Sequence, residues 1–285
     1  MDGIVWLASY PKSGNTWFRT FISNLISEPD EEISINNMKT DGIFSSRGIV
    51  DSITGIETAN MNANEIDRLR PSVFNHLAQI AEKRLFIKAH DAYTYLDDGL
   101  PLLGTTNAKA IYIMRNPLDV AVSFANHSSA DFDRIISDMN KEDFAFCGNK
   151  NRLPNQLRQI MLTWSGHVDS WLQATELPVH TVRYEDMKLN PLETFTAAVR
   201  FIGLDCTEEQ IRRAIERSDF DKLKTEEVQS GFKEKPYKTA SFFRAGKTGD
   251  WRNHLNEAQQ QQLIADHEIV MRKYGYLDND GNAVY

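Results

Sequence analysis

Lys12, Ser13, Gly14, Asn15 and Thr16 follow one another in the run ASYPKSGNTWFRTF, and together they offer what a bound phosphate or sulfate needs. An apolar stretch, IVWLAS, precedes them, and a helix is expected to begin at Asn15 or Thr16. The unpaired N–H groups at a helix start, together with its dipole, favour an anion. Gly14 lets the backbone approach closely, the Ser13, Asn15 and Thr16 side chains add donors, and Lys12 supplies a mobile point charge. The spacing is not that of the G-x-x-x-x-G-K-[ST] nucleotide loop: the lysine comes before the glycine, with Pro11 beside it. Alone, the stretch also reads as an ordinary strand–turn–helix with a surface lysine.

Three more segments carry candidate chemistry. In IYIMRNPLDVAVSFANH, Arg115 ends an apolar strand, where a guanidinium is suited to bidentate grip on a phosphate. Pro117 then opens a helix at its favoured first position, with Ser123 about two turns along. Arg115 could equally pair with Asp119. In FFRAGKTGDWRNHL, Arg244, Gly246, Lys247 and Gly249 form a basic, glycine-rich loop that by itself is any surface turn. In RLFIKAH, His90 ends a strand two residues after Lys88, so both side chains point to the same side.

These residues need a frame. Residues 4–9, 84–90, 109–115 and 179–184 read as buried strands with little alternation, as a sheet covered on both faces requires. Helical patterns cover 15–26, 117–127, 155–174, 191–202, 208–217 and 257–274, with Gly203 and Gly275 at C-cap positions. Alternating strands and helices predict an α/β fold, a central parallel sheet flanked by helices in a single domain, with ligands at the carboxyl ends of the strands. Residues 28–63 and 130–153 resist assignment and are candidate lids or substrate loops. Phe44, Phe132, Phe144 and Phe146 within them could line an acceptor pocket or belong to the core.

With 285 residues the chain can bury a sizeable core, and its net charge of −8 argues against a broad nucleic-acid surface. Cys147 and Cys206 make no disulfide framework, and no metal site is expected. No apolar run approaches a membrane span and no cleavable signal is read, so a soluble cytoplasmic protein is expected.

Taken in order, YPKSGNTW, RNPLDVAVSFANH and FRAGKTGDWRNHL resemble the signature segments of the cytosolic-type sulfotransferases, which use 3'-phosphoadenosine 5'-phosphosulfate (PAPS) as sulfuryl donor. The likeness extends to LFIKAHDA, WSGHVDSWLQA, VRYEDMKLNPLETF and RSDFDKLK, and so to nearly the whole chain. It implies a P-loop-like nucleotide-binding architecture. It also implies that Lys12 contacts the transferring sulfuryl group and the bridging oxygen, while Ser13, Gly14, Asn15 and Thr16 cradle the 5'-phosphate. Trp17, Tyr184, Ser218 and Phe220 match adenine contacts, the last two more loosely. Arg115, Ser123, Arg244, Ala245 and Gly246 match contacts to the 3'-phosphate. His90 matches the general base on the acceptor, Lys88 would support charge on the sulfuryl oxygens, and Ser123 would hold Lys12 back until the acceptor arrives. His76, His127, His167, His180, His254 and His267 are taken as structural or surface residues.

Three positions depart from the family pattern. Asn15 and Ala89 replace threonines, and Ala245 replaces a basic residue, which removes one charge from the 3'-phosphate loop. The implied reaction moves the sulfuryl group of PAPS to a hydroxyl or amine of a soluble small molecule, releasing PAP (3'-phosphoadenosine 5'-phosphate) without a metal. GIVWLASYPKSGNTW is similar to the openings of bacterial small-molecule sulfotransferases, including those that act on glycopeptide antibiotics. A nucleotide-dependent kinase and a non-catalytic PAPS- or PAP-binding homologue are the alternatives; the kinase lacks its GK[ST] triplet and a magnesium carboxylate. No nucleic-acid or membrane partner is expected, and a homodimer is left open.

Overall fold

The computed structural model describes residues 3–31, 33–147, 154–237 and 239–285. Its strands are β1 (Ile4–Ser9), β2 (Leu85–Ala89), β3 (Ala108–Met114), β4 (Ala145–Phe146), β5 (Gln159–Ile160) and β6 (Val179–Arg183). Its helices are α1 (Asn15–Leu25), α2 (Arg47–Thr54), α3 (Ala63–Ile80), α4 (Pro117–Ser128), α5 (Phe132–Met139) and α6 (Trp164–Leu172). They continue as α7 (Tyr184–Leu189), α8 (Pro191–Ile202), α9 (Glu208–Arg217), α10 (Phe220–Ser230) and α11 (Glu257–Lys273). Helices flank a four-stranded parallel sheet in the order β2-β1-β3-β6, as the alternation of patterns predicts. β1 and β2 run in register with Leu7 opposite Lys88, and the antiparallel pair β4–β5 is separate.

Contacts gather the chain into two compact units. The first combines Met1–Tyr10, Asp41–Tyr112 and Lys141–Thr181. Its core holds the fully buried Trp6 edge-on to Phe44 and Phe74, each with its ring centroid 5.3 Å away. Residues 42–44 extend the sheet beside β2, because Lys88 donates its N–H to Gly42 and its carbonyl accepts from Phe44. The second combines Pro11–Thr40, Ile113–Asn140 and Val182–Tyr285, with Phe18 and Phe21 packed on Phe195. Local chemistry sets its helix ends: Asn116 caps α4 with Pro117 next, and Gly203 closes α8 at φ 81°.

The structure corrects the sequence reading at several elements. No helix starts at 155; Leu157, Gln159 and Met161 are buried alternately, a period of two that the sequence pattern masks. Leu162 adopts φ 57°, which no α-helix can pass, and α6 begins only after Thr163, whose hydroxyl accepts from Gly166. Segment 28–63 is not irregular throughout, since it contains α2, and 130–153 contains α5 and β4. Residue 32 and residues 148–153 of those segments lie outside the described residues. α3 and α10 are helices that the sequence reading did not single out. Phe44 is a core residue, and Phe144 packs edge-on against Phe146.

Candidate active site

In the second unit the three basic segments meet at one guanidinium. Arg115 Nη1 donates to the carbonyl of Lys12 at 3.2 Å, and Nη2 donates to the carbonyl of Lys247 at 3.0 Å. Its planar face lies 4.2 Å from the ring centre of Tyr184, and Asp119 is 3.6 Å away. Asp119 in turn accepts from the N–H groups of Gly249 and Trp251. Arg115, just ahead of α4, thus ties the loop before α1 to the loop after residue 244, and Asp119, in the first turn of α4, fixes the far end of that loop.

The loop before α1 has the backbone its sequence suggests. Gly14 sits at φ 105°, and a Cβ there would lie 2.7 Å from the Tyr184 ring. Only glycine satisfies both conditions. Lys12 also adopts a positive φ, and its ammonium lies 3.8 Å from the Phe242 ring centre and 3.4 Å from His127 Nδ1. Ser123 is half-buried one turn before His127 on α4, on the same side of the helix.

This lining fits an anionic nucleotide. Ser13 Oγ, Trp17 Nε1 and Arg115 Nε are buried donors without a protein acceptor, and their shared need is an acceptor from outside. Tyr184 meets Trp17 edge-on at 5.7 Å, while the Lys188 ammonium lies 5.1 Å from Trp17 and 5.3 Å from Phe220. Phe220 also covers Gly246, where a Cβ would come within 2.5 Å of the ring. Ser218 is turned inward: its hydroxyl donates to the Ala214 and Ile215 carbonyls, so it ends α9 rather than offering a donor outward. Arg244 is paired with Asp250, which also takes His254 at 3.3 Å. Burial alone would raise the Asp250 carboxyl, but Arg244 outweighs it and holds the group below the ordinary aspartate value. Ala245 adds no charge, and Lys224 donates to the neighbouring Arg244 carbonyl at 3.2 Å.

In the first unit, Lys88 lies near the end of β2 and His90 directly follows the strand, both half-buried. His90 Nδ1 lies 2.8 Å from the carbonyl oxygen of Ser9. A carbonyl can only accept, so Nδ1 carries the proton and the basic lone pair sits on Nε2. The imidazole therefore offers its lone pair through one defined nitrogen.

The family profile of the sulfotransferase domain matches residues 2–275. The chain belongs to the sulfotransferase family. Flavonol 3-sulfotransferase of Flaveria bidentis is 26% identical over 271 residues, covering 91% of this chain and 78% of that protein. Sulfotransferase 1B1 of Canis lupus familiaris is 26% identical over 288 residues, covering 95% and 83%. The same fold occurs in mouse sulfotransferase SULT7A1 complexed with PAP, at TM-score 0.61 and 20% identity over 99% of this chain and 87% of that one. It occurs too in retinol dehydratase complexed with androsterone and PAP, at TM-score 0.60 and 19% identity, covering 94% and 80%.

Within this sulfotransferase fold, several residues beside the site escaped sequence reasoning. His127 reads as a structural or surface histidine, yet it receives Lys12. His167 likewise reads as a structural or surface residue, yet its Nε2 lies 3.1 Å from the His90 carbonyl oxygen. Lys188 and Lys224 lie in segments that stood out for other residues. The only signal for His127 was its place one turn after Ser123. For His167 there was none, because the contact spans 77 residues of chain.

Proposed function

We propose that the protein moves the sulfuryl group of PAPS in line to an acceptor hydroxyl or amine of a soluble small molecule, releasing PAP. The observation that carries this is Arg115, which binds both the Lys12 and the Lys247 carbonyls amid three buried donors that await an acceptor. PAPS, when bound, supplies an activated sulfur whose bond to the phosphate oxygen breaks as the acceptor's bond to sulfur forms. Ser13, Gly14, Asn15 and Thr16 hold the 5'-phosphate, and Arg115, Ser123, Arg244 and Gly246 hold the 3'-phosphate, with Ala245 contributing backbone only. Trp17, Tyr184 and Phe220 take the adenine, and Ser218 shapes the end of α9 before Phe220.

His90 Nε2 accepts the proton that the acceptor loses, a role worth roughly 10²–10⁴-fold. Lys12 meets the charge growing on the departing phosphate oxygen, and Lys88 supports the sulfuryl oxygens. Preorganised charge of this kind is the usual source of catalysis in such transfers. The chain works as one sulfotransferase domain in this reading. Phenols come first among acceptors, because relatives named as flavonol sulfotransferases match most of the chain.

Labelled PAPS is incubated with a panel of phenols, alcohols and amines, and wild type is compared with His90→Ala. Label transfer that falls at least 100-fold in His90→Ala supports the reading. Undiminished turnover in that variant removes the base assignment. Thermal melts with PAP, and with ATP plus magnesium, separate the alternatives: stabilisation by ATP alone brings the kinase forward. A PAP shift without transfer to any acceptor favours a binding homologue.

A further inference from the structure

His90 is fixed at both ends, and one face of α6 does half of the work. His167 Nε2 lies 3.1 Å from the His90 carbonyl oxygen, which can only accept, so Nε2 carries the proton. Nδ1 of His167 is then a lone pair, and it takes the Tyr112 hydroxyl at 2.9 Å. Trp171 Nε1 donates to the Asp91 carbonyl at 3.0 Å, and Ser170 Oγ accepts the Tyr93 N–H at 3.0 Å. His167, Ser170 and Trp171 are spaced i, i+3, i+4, so a single helical face bonds the main chain of residues 90, 91 and 93. From the other side, Ala92 donates to the Ile160 carbonyl at 2.7 Å. His167 is wholly buried, so this rack is shielded from solvent.

We propose that α6 is a positioning element for His90, with His167, itself oriented by Tyr112, holding the His90 main chain so that its Nδ1 reaches the Ser9 carbonyl and its Nε2 is the basic nitrogen. This rests on the reading of His90 as base. A base displaced by about 1 Å loses on the order of 100-fold in rate. His167 acts without touching an acceptor. Burial lowers its pKa to about 4, so it is a neutral donor at neutral pH.

The test compares His167→Phe, which keeps a ring but no donor, with His167→Gln, whose amide nitrogen can replace Nε2–H. Ring nitrogen shifts of ¹⁵N-histidine-labelled protein report the His90 tautomer without donor or acceptor present. Wild type and His167→Gln are expected to show His90 protonated on Nδ1, and His167→Phe a mixture of tautomers. Turnover with labelled PAPS should fall about 10- to 100-fold in His167→Phe, recover in His167→Gln, and leave PAP affinity unchanged. An unaltered His90 spectrum and rate in His167→Phe overturn the proposal. Equal loss in both variants also overturns it, since that marks packing rather than a donor. If His167→Phe does not fold, Tyr112→Phe replaces it, with a smaller tautomer shift expected and none overturning. His90→Ala run alongside separates the two failures: full turnover there sinks the base reading itself, whereas inactivity there with an undisturbed His167→Phe sinks only the positioning role.

Discussion

Arg115 shows how much one side chain carries. Two directed donors to the Lys12 and Lys247 carbonyls, stacking on Tyr184 and a carboxylate neighbour all depend on a planar fork. An ammonium provides one point charge instead. Arg115→Lys is expected to weaken PAP binding by about 5- to 150-fold, through about 1–3 kcal/mol of lost hydrogen bonds, as titration calorimetry reads. Burial also sets a pH response. His167 and His267 are each lowered to about 4 from 6.5, so an unfolded chain binds more protons between those values than the folded one. Their contribution is complete above pH 6.5 and is lost as pH falls toward 4. Asp91 acts oppositely: burial raises it to about 6 against the attraction of Arg70, so acid relieves a buried charge. Two groups outweigh one, and urea midpoints should fall from pH 7 to pH 5. His167→Gln should flatten that slope by about 2 kcal/mol.

At the scale of elements, the turn into α1 is where the site is most exposed to a single change. Gly14→Ala forces a side chain into φ 105° and against Tyr184, whose ring is stacked on Arg115. Backbone strain of about 1–3 kcal/mol is expected, with a larger loss in PAP affinity than in stability, read by calorimetry beside thermal melts. Most elements here were legible before the structure: α8 and α9 fall on residues 191–202 and 208–217 because Pro191, Gly203 and the Thr207–Gln210 capping box mark their ends locally. The start of α6 was not. Leu157, Ile160 and Ala92 are engaged by partners distant in the chain, and those bonds override a plausible helical pattern.

For the whole molecule, a net charge of −8 coexists with basic segments holding Lys12, Arg115 and Lys247, which Arg115 brings together. A ligand at about 100 times its dissociation constant adds about 2.7 kcal/mol, which for a chain of 285 residues is a rise of about 4–5 °C in melting temperature. PAP should produce that rise in the presence of EDTA, and ATP should not; no rise with PAP would remove the donor site. Among the described residues no helix is long and apolar enough to cross a membrane. The sequence by itself determined the α/β class, the four strands of the central sheet and the candidate donor segments around Lys12 to Trp17, Arg115 and Arg244, because turns, caps and phosphate loops are built from contiguous residues. Only the tertiary structure decided that Arg115 joins two loops 235 positions apart in chain numbering, Lys12 to Lys247, that Ser218 turns inward, and that His167 holds His90. Such contacts are made by directional hydrogen bonds between distant segments, and no local pattern records which donor will find which carbonyl.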